Sequence, residues 1–315
     1  MKKLLGLLIL LFIASPSMEA QRFKDARSYY REFQSQNRKI SIKNMRYLES
    51  VVKELDARRI NKFREMVVDQ LKDSKRKLSK VGPYKGDDVL HREYMESLDL
   101  YLEAFEKDFG AAEELTAKRY DSYEDLQKYY ETANAAEMKM LDAAFKIEKA
   151  EDFFGKTYTV DLRRDSATIY KQEKLDEITV YTREITLIYF KVDAELRALF
   201  KAIEADKADT LGVIITNMRK SLRAAQTEVE GIEPFEYDGA LEDQLLYYLE
   251  EIDASIDEEL RPMAEAFQFK YKDQADLEEA QDMLEDLKLW HEEITFEYFE
   301  TQRGLITDYL EDEDY

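Results

Sequence analysis

The sequence predicts an all-α fold: two tandem antiparallel helical bundles of about four helices each. Three observations predict it. First, the 315 residues include only 9 Gly and 4 Pro, and 37% are charged; such a composition favours long helices over sheets. Second, apolar residues recur every three or four positions through most of the chain. Third, the stretch "VGPYKGDDVL" at 81–90 returns as "IEPFEYDGAL" at 232–241, 151 positions later. The register holds without a gap: Pro83 meets Pro234, Tyr84 meets Phe235, Asp87 meets Asp238, Leu98 meets Leu249 and Phe145 meets Phe296. One constant offset across several elements reads as an internal duplication.

The chain opens Met1-Lys2-Lys3, runs apolar from Leu4 to Ala14 and turns polar at Ser15-Pro16-Ser17. That is the pattern of a secretory signal over 1–20, cleaved before Gln21. A retained anchor is the alternative, but the apolar run is short of the roughly 20 residues a span needs. Cysteine is absent, which excludes a Cys-linked lipid anchor, a disulfide framework, zinc thiolates and a cysteine nucleophile. The expected organisation is repeat 1 at 21–156, a linker at 157–170, repeat 2 at 171–306 and an acidic tail at 307–315.

The elements follow in order. Met45, Leu48, Val52 and Leu55, then Ile60, Phe63, Val67 and Leu71, form two apolar stripes. Their join, "DARRI", has neither Gly nor Pro, so either a turn or one long rod fits, and a turn is expected. In the second copy Tyr181, Ile185, Ile188, Val192, Leu196, Leu199 and Ile203 make one stripe. Leu211, Ile214, Met218, Leu222, Ala225 and Val229 make the next, with Asp209 or Thr210 as its expected cap.

Pro83 and Pro234 then stop the second helix, because each lacks an N–H and forces the preceding residue to be extended. Asp87, Asp88 and Asp238 precede the third helix, where a carboxylate suits unpaired N–H groups and the positive dipole end. Tyr84 and Phe235 are expected to fold back as an apolar plug; a sugar-stacking role is the alternative. Gly110-Ala111 and Pro262 predict a bend in the third helix. Ser122 with Asp125, and Asp273 with Asp276, resemble capping boxes for the fourth. Its stripes run Leu126, Tyr129, Ala133, Ala136, Met140, Ala143, Ile147 and Leu277, Ala280, Leu284, Leu287, His291, Ile294, Tyr298. Thr157 to Val160 reads as a short extended link.

Charge is unevenly placed. Residues 21–80 hold 18 Lys/Arg against 8 Asp/Glu, whereas 226–315 hold 5 against 30. The acidic half argues against nucleic-acid binding. It fits either a solvated surface or partners of opposite charge.

Catalytic patterns are missing. His91 and His291 are the two histidines; Asp88 and Lys288 precede them by three, so no Glu-x-x-His ligand motif exists. No G-x-S-x-G, phosphate loop or EF-hand spacing occurs. No catalytic residue, metal ligand or cofactor site is expected. Tyr29-Tyr30, Tyr129-Tyr130 and Tyr247-Tyr248 each suggest one ring in the core and one at its edge. Such edge rings suit ordinary packing or contact with a partner.

The run over 57–130 resembles the Leptospira-type surface-protein family of helical bacterial proteins. The resemblance rests on the Lys75–Lys80 cluster, Pro83-Tyr84 with Gly86-Asp87, Tyr101-Leu102, and Ala117 to Tyr120-Asp121. "FFGKTYTVDL" resembles that family's exit from its last helix. The second copy departs, with "PFEYDGAL" and fewer basic residues. The resemblance implies secretion and a helical fold, and no activity. The expectation is an exported protein of the periplasm or cell surface, non-catalytic, with an envelope protein as partner. The alternative is capture of glycans or divalent cations.

Overall fold

The structure is a computed structural model that describes residues 23–53, 55–162, 166–268 and 274–311. The expected signal at 1–20, Asp273 and the last residues of the tail lie outside them. The fold is all-α: α1 Ala26–Val52, α2 Ala57–Leu78, α3 Val89–Glu103, α4 Phe109–Leu115, α5 Tyr123–Tyr158, α6 Ser166–Glu204, α7 Leu211–Val229, α8 Ala240–Ser255, α9 Arg261–Gln268 and α10 Gln274–Glu311. Among the described residues there is no strand, and no helix is long and apolar enough to cross a membrane.

Two compact units form. One gathers the described residues of 1–47, 58–110 and 133–164; the other gathers those of 48–57, 111–132 and 165–315. Two segments of the first sequence repeat, 48–57 and 111–132, therefore group with the second unit. Tyr120 shows why: its ring packs on Phe190 and Phe299, at 5.7 and 6.2 Å between centroids.

In the first unit Phe33 of α1 meets Tyr94 of α3 at 4.9 Å, and Tyr94 in turn donates to Glu151 of α5. Ser74 of α2 donates to Gln36 of α1 at 3.3 Å. In the second unit α6 packs on α7, α8 and α10, and α8 packs on α7 and α10. The α6 stripe is buried along its length, from Tyr181 to Ile203. On α7 the stripe is buried at Leu211, Met218, Leu222, Ala225 and Val229, with Ile215 rather than Ile214 completing it.

Helix ends obey local chemistry. Ser122 caps α5: its hydroxyl accepts the Asp125 N–H at 3.1 Å and donates to the Asp125 carboxylate at 2.6 Å. α1 ends at Val52 and α2 starts at Ala57, so a turn separates them. Neither Asp209 nor Thr210 caps α7. A 3-10 turn at Ala208–Thr210 leads in, and the Thr210 hydroxyl donates backwards to Lys207 O at 2.8 Å. The extended start expected at Thr157 to Val160 is not found: α5 continues through Tyr158, Thr159 turns with φ 53°, and α6 begins at Ser166.

The expected bend in the third helix takes a specific form. π-helical turns at Ala104–Asp108 and Ile256–Leu260 join α3 to α4 and α8 to α9. A π turn inserts one residue and shifts the hydrogen-bond register. Pro262, which has no N–H to give, sits two residues after one of them. Beside the other, the Arg64 guanidinium donates to Phe105 O at 2.8 Å.

Candidate functional site

The two Pro-aromatic loops are built alike. Tyr84 and Asp87 pair by N–H to O bonds of 2.9 Å in both directions, and Phe235 and Asp238 form the same isolated bridge. Between each pair stand two residues with positive φ: Lys85 (51°) and Gly86 (87°), Glu236 (49°) and Tyr237 (74°). Two-residue hairpin turns of this kind require that conformation. Asp87 Oδ1 accepts the Val89 N–H and Asp238 Oδ1 accepts the Ala240 N–H, each at 3.0 Å, tying the loop to the start of α3 or α8. Asp88 instead pairs with Arg92 at 3.2 Å. The aromatic residues point inward, since Tyr84 and Phe235 are buried. A tyrosine near each unit's last helix end caps them edge-on: Tyr158 on Tyr84 at 5.0 Å and Tyr309 on Phe235 at 4.9 Å.

What surrounds the loops differs. In the first unit Tyr29 is 1% exposed, its ring touches Tyr84 and its hydroxyl donates to Gly82 O at 2.8 Å. Phe33, also buried, packs beside it at 5.0 Å. The residues 151 positions on are Val180, 59% exposed, and Glu184. With both rings missing, the second loop borders an open groove of about 730 Å³. Val180, Tyr181, Ile232, Pro234 and Phe235 give it apolar walls, and Asp176, Glu177, Glu184, Glu233 and Glu236 add carboxylates. Four of these acids replace Ala26, Phe33, Gly82 and Lys85 of the first repeat. Thus Pro234 and Phe235 line a groove, while Tyr84 belongs to a plugged aromatic cluster and Pro83 stays exposed.

One lysine serves the rim. Lys174 donates to Glu177 at 2.9 Å and to Glu236. Its hydrogen bond to Glu236, then that to Glu177, pushes its pKa further up. Beyond the rim Tyr237 is fully exposed. It occupies the position of Gly86 at positive φ, where a side chain costs roughly 1–2 kcal/mol.

Behind the groove wall, Tyr181 and Glu242 are both buried. Burial first, then Glu242, pushes the Tyr181 hydroxyl above its ordinary value. The two groups are close enough to influence each other, yet neither the Tyr181 hydroxyl nor either Glu242 oxygen meets a partner in hydrogen-bond geometry.

A second polar cluster lies deeper in the same unit. Asp193 is fully buried, and its Oδ1 accepts from His291 Nε2 at 2.6 Å, Tyr189 at 3.1 Å and Tyr248 at 3.3 Å. Its Oδ2 lies 2.6 Å from Arg197 Nε, close as an ion pair but poorly aligned for a hydrogen bond. Tyr189 stacks on Tyr298 at 4.3 Å and 6°. With its His, Tyr and Arg groups turned on one carboxylate, this cluster ties α6, α8 and α10 together. His91 contacts Leu78 O at 3.0 Å. Among the described residues no group of three His, Cys, Asp or Glu is placed to hold a metal.

The tyrosine pairs divide unevenly. Tyr248 is buried and Tyr247 exposed, whereas Tyr29 and Tyr30 are both buried and Tyr129 and Tyr130 both half-buried. Sequence reasoning passed over Val180, Glu184 and Tyr237. The signal was present: at the 151 offset each aligns with a residue of unlike size, Tyr29, Phe33 and Gly86.

The chain matches no family model, no curated protein and no solved structure.

Proposed function

We propose that this is an exported, envelope-associated, non-catalytic binding protein whose contact region is the groove beside the second Pro-aromatic loop. The observation that carries the reading is the contrast between Tyr29, which plugs the first loop, and Val180, which leaves the second open. Concave apolar surface with a few polar groups is the usual form of a ligand site. Tyr237, held exposed at a conformational cost, supports the same region. The leader-like pattern at 1–20 and the resemblance to helical surface proteins support export. The recurrence of α3 and α8, the π turns, and α5 and α10 at nearly one offset supports descent from a duplicated module.

The test is a comparative pull-down from envelope extract. Mature wild-type chain should retain a partner that the Val180→Tyr variant does not, with both folded by circular dichroism. Equal recovery by both variants removes the groove from the reading.

A second reading, capture of a glycan, draws on the same exposed Tyr237. A thermal-shift panel of glycans and divalent cations separates them. A shift that Tyr237→Ala abolishes favours glycan capture, and silence across the panel favours a protein partner.

A further inference from the structure

We infer that the groove takes a basic peptide segment, and that the buried Glu242 helps select a Lys or Arg side chain seated against Tyr181. The inference rests on the proposed groove and adds the chemistry of its occupant. Five carboxylates border the groove, while Lys174 is held by two of them. Charge complementarity therefore asks for a cation. The apolar walls of Val180, Ile232 and Phe235 ask for carbon beside it, which the aliphatic stems of Lys and Arg and their apolar neighbours supply. At about 730 Å³ the groove exceeds one small amine, and exposed Tyr237 offers contact beyond its edge; a chain segment uses both.

Glu242 gives an observation independent of the rim. It is 6% exposed, and neither carboxyl oxygen has a hydrogen-bond partner. A polar group buried without partners is costly, and natural cores keep few. Tyr181, 8% exposed, stands between roles: it lines the groove and ends beside Glu242. A cation against this ring gains cation–π attraction and the field of a carboxyl behind it in a low-dielectric setting. In the first repeat the same two positions are Tyr30 and His91. There the carboxyl is missing and the groove is filled.

The experiment uses the full mature chain and fluorescein-labelled peptides read by anisotropy. The probe alternates Lys and Leu over ten residues; a second peptide has Gln in place of each Lys. Wild type should bind the Lys peptide saturably and the Gln peptide at least tenfold more weakly. Val180→Tyr should lose at least tenfold with no change in net charge, which separates the groove from general attraction to an acidic protein. Glu242→Gln should lose about fivefold while its urea midpoint stays level or rises. Should Glu242→Gln not fold, Tyr181→Leu carries the same expectation of weakened binding, because it removes the ring against which the cation sits.

Loss in Val180→Tyr with full affinity in both Glu242→Gln and Tyr181→Leu overturns the role of Glu242 and Tyr181 and leaves the groove standing. Full affinity in Val180→Tyr overturns the groove itself. Equal binding of the Gln peptide overturns the cationic ligand. Displacement of the Lys peptide by spermidine at lower concentration than by unlabelled peptide overturns a peptide occupant in favour of a polyamine.

Discussion

His291 and Asp193, 98 positions apart, meet at 2.6 Å inside the second unit, with Tyr189 and Tyr248 sharing the same carboxylate oxygen. Removing the acceptor strands the Tyr248 hydroxyl, an imidazole and the Arg197 charge, and leaves Tyr189 with Thr295 alone. Breaking a buried pair from one side costs about 3 kcal/mol or more. Asp193→Ala should lower the urea midpoint accordingly, with unchanged slope. A loss under about 1 kcal/mol would show that the cluster is not a structural hub.

Alkaline pH should unfold the protein through its tyrosines. Burial pushes Tyr94, Tyr189 and Tyr248 well above their ordinary value of 10.0. A raised folded value means the folded state keeps protons that the unfolded state releases. Their contribution is thus fully present below about pH 10 and is lost as pH rises above it, by up to about 1.4 kcal/mol per pH unit per group. Denaturation curves at pH 9, 10 and 11 should show falling stability, with the buried rings contributing tyrosinate absorbance only on unfolding. Stability unchanged between pH 9 and 11 would contradict this.

Tyr237→Gly should stabilise the fold by about 1 kcal/mol, because glycine adopts the positive φ of this turn without strain. The fully exposed ring it removes contributes no packing. Urea unfolding measures the gain, and Gly86→Tyr at the first turn is the reverse exchange at the matched position. No gain at Tyr237 would mean that the turn holds its ring without strain.

Two helical glycines should respond oppositely to alanine. At Gly304 a Cβ meets nothing within 4 Å, so Gly304→Ala should gain roughly 0.5–1 kcal/mol of helix propensity. At Gly155 a Cβ would stand 3.0 Å from the Leu162 side chain and 3.2 Å from Val160 O. Overpacking costs roughly 1–3 kcal/mol, which outweighs the propensity gain, so Gly155→Ala should destabilise. Melting temperatures of the two variants should move apart.

The helices were legible because burial is periodic: every member of the α6 stripe predicted from Tyr181 to Ile203 is in the core. Ser122 and Asp125 were legible because a cap acts over three residues. Capping at Thr210 was not, since its hydroxyl chose the carbonyl of Lys207 over the helix N–H groups. Both Tyr29 and Tyr30 are buried because α1 lies between α3 and α5 contacts and hides more than one stripe. The Asp193 cluster was hidden for another reason. Its members are neighbours only after α6, α8 and α10 assemble, and no local pattern marks Asp193 among 69 acids. The groove depends on absent bulk at Val180 and Glu184, and stripe reading records what is buried, not what has been left out.

The π turns at Ala104–Asp108 and Ile256–Leu260 set the rotational phase of everything downstream in their helices. One surplus residue corresponds to about 100° of winding. Deleting a single residue there would let a regular helix close but would swing the faces of α4 and α9 by that angle, carrying Phe109 and Met263 away from the core. The α3–α4 and α8–α9 pairs thus each consist of two segments held out of step.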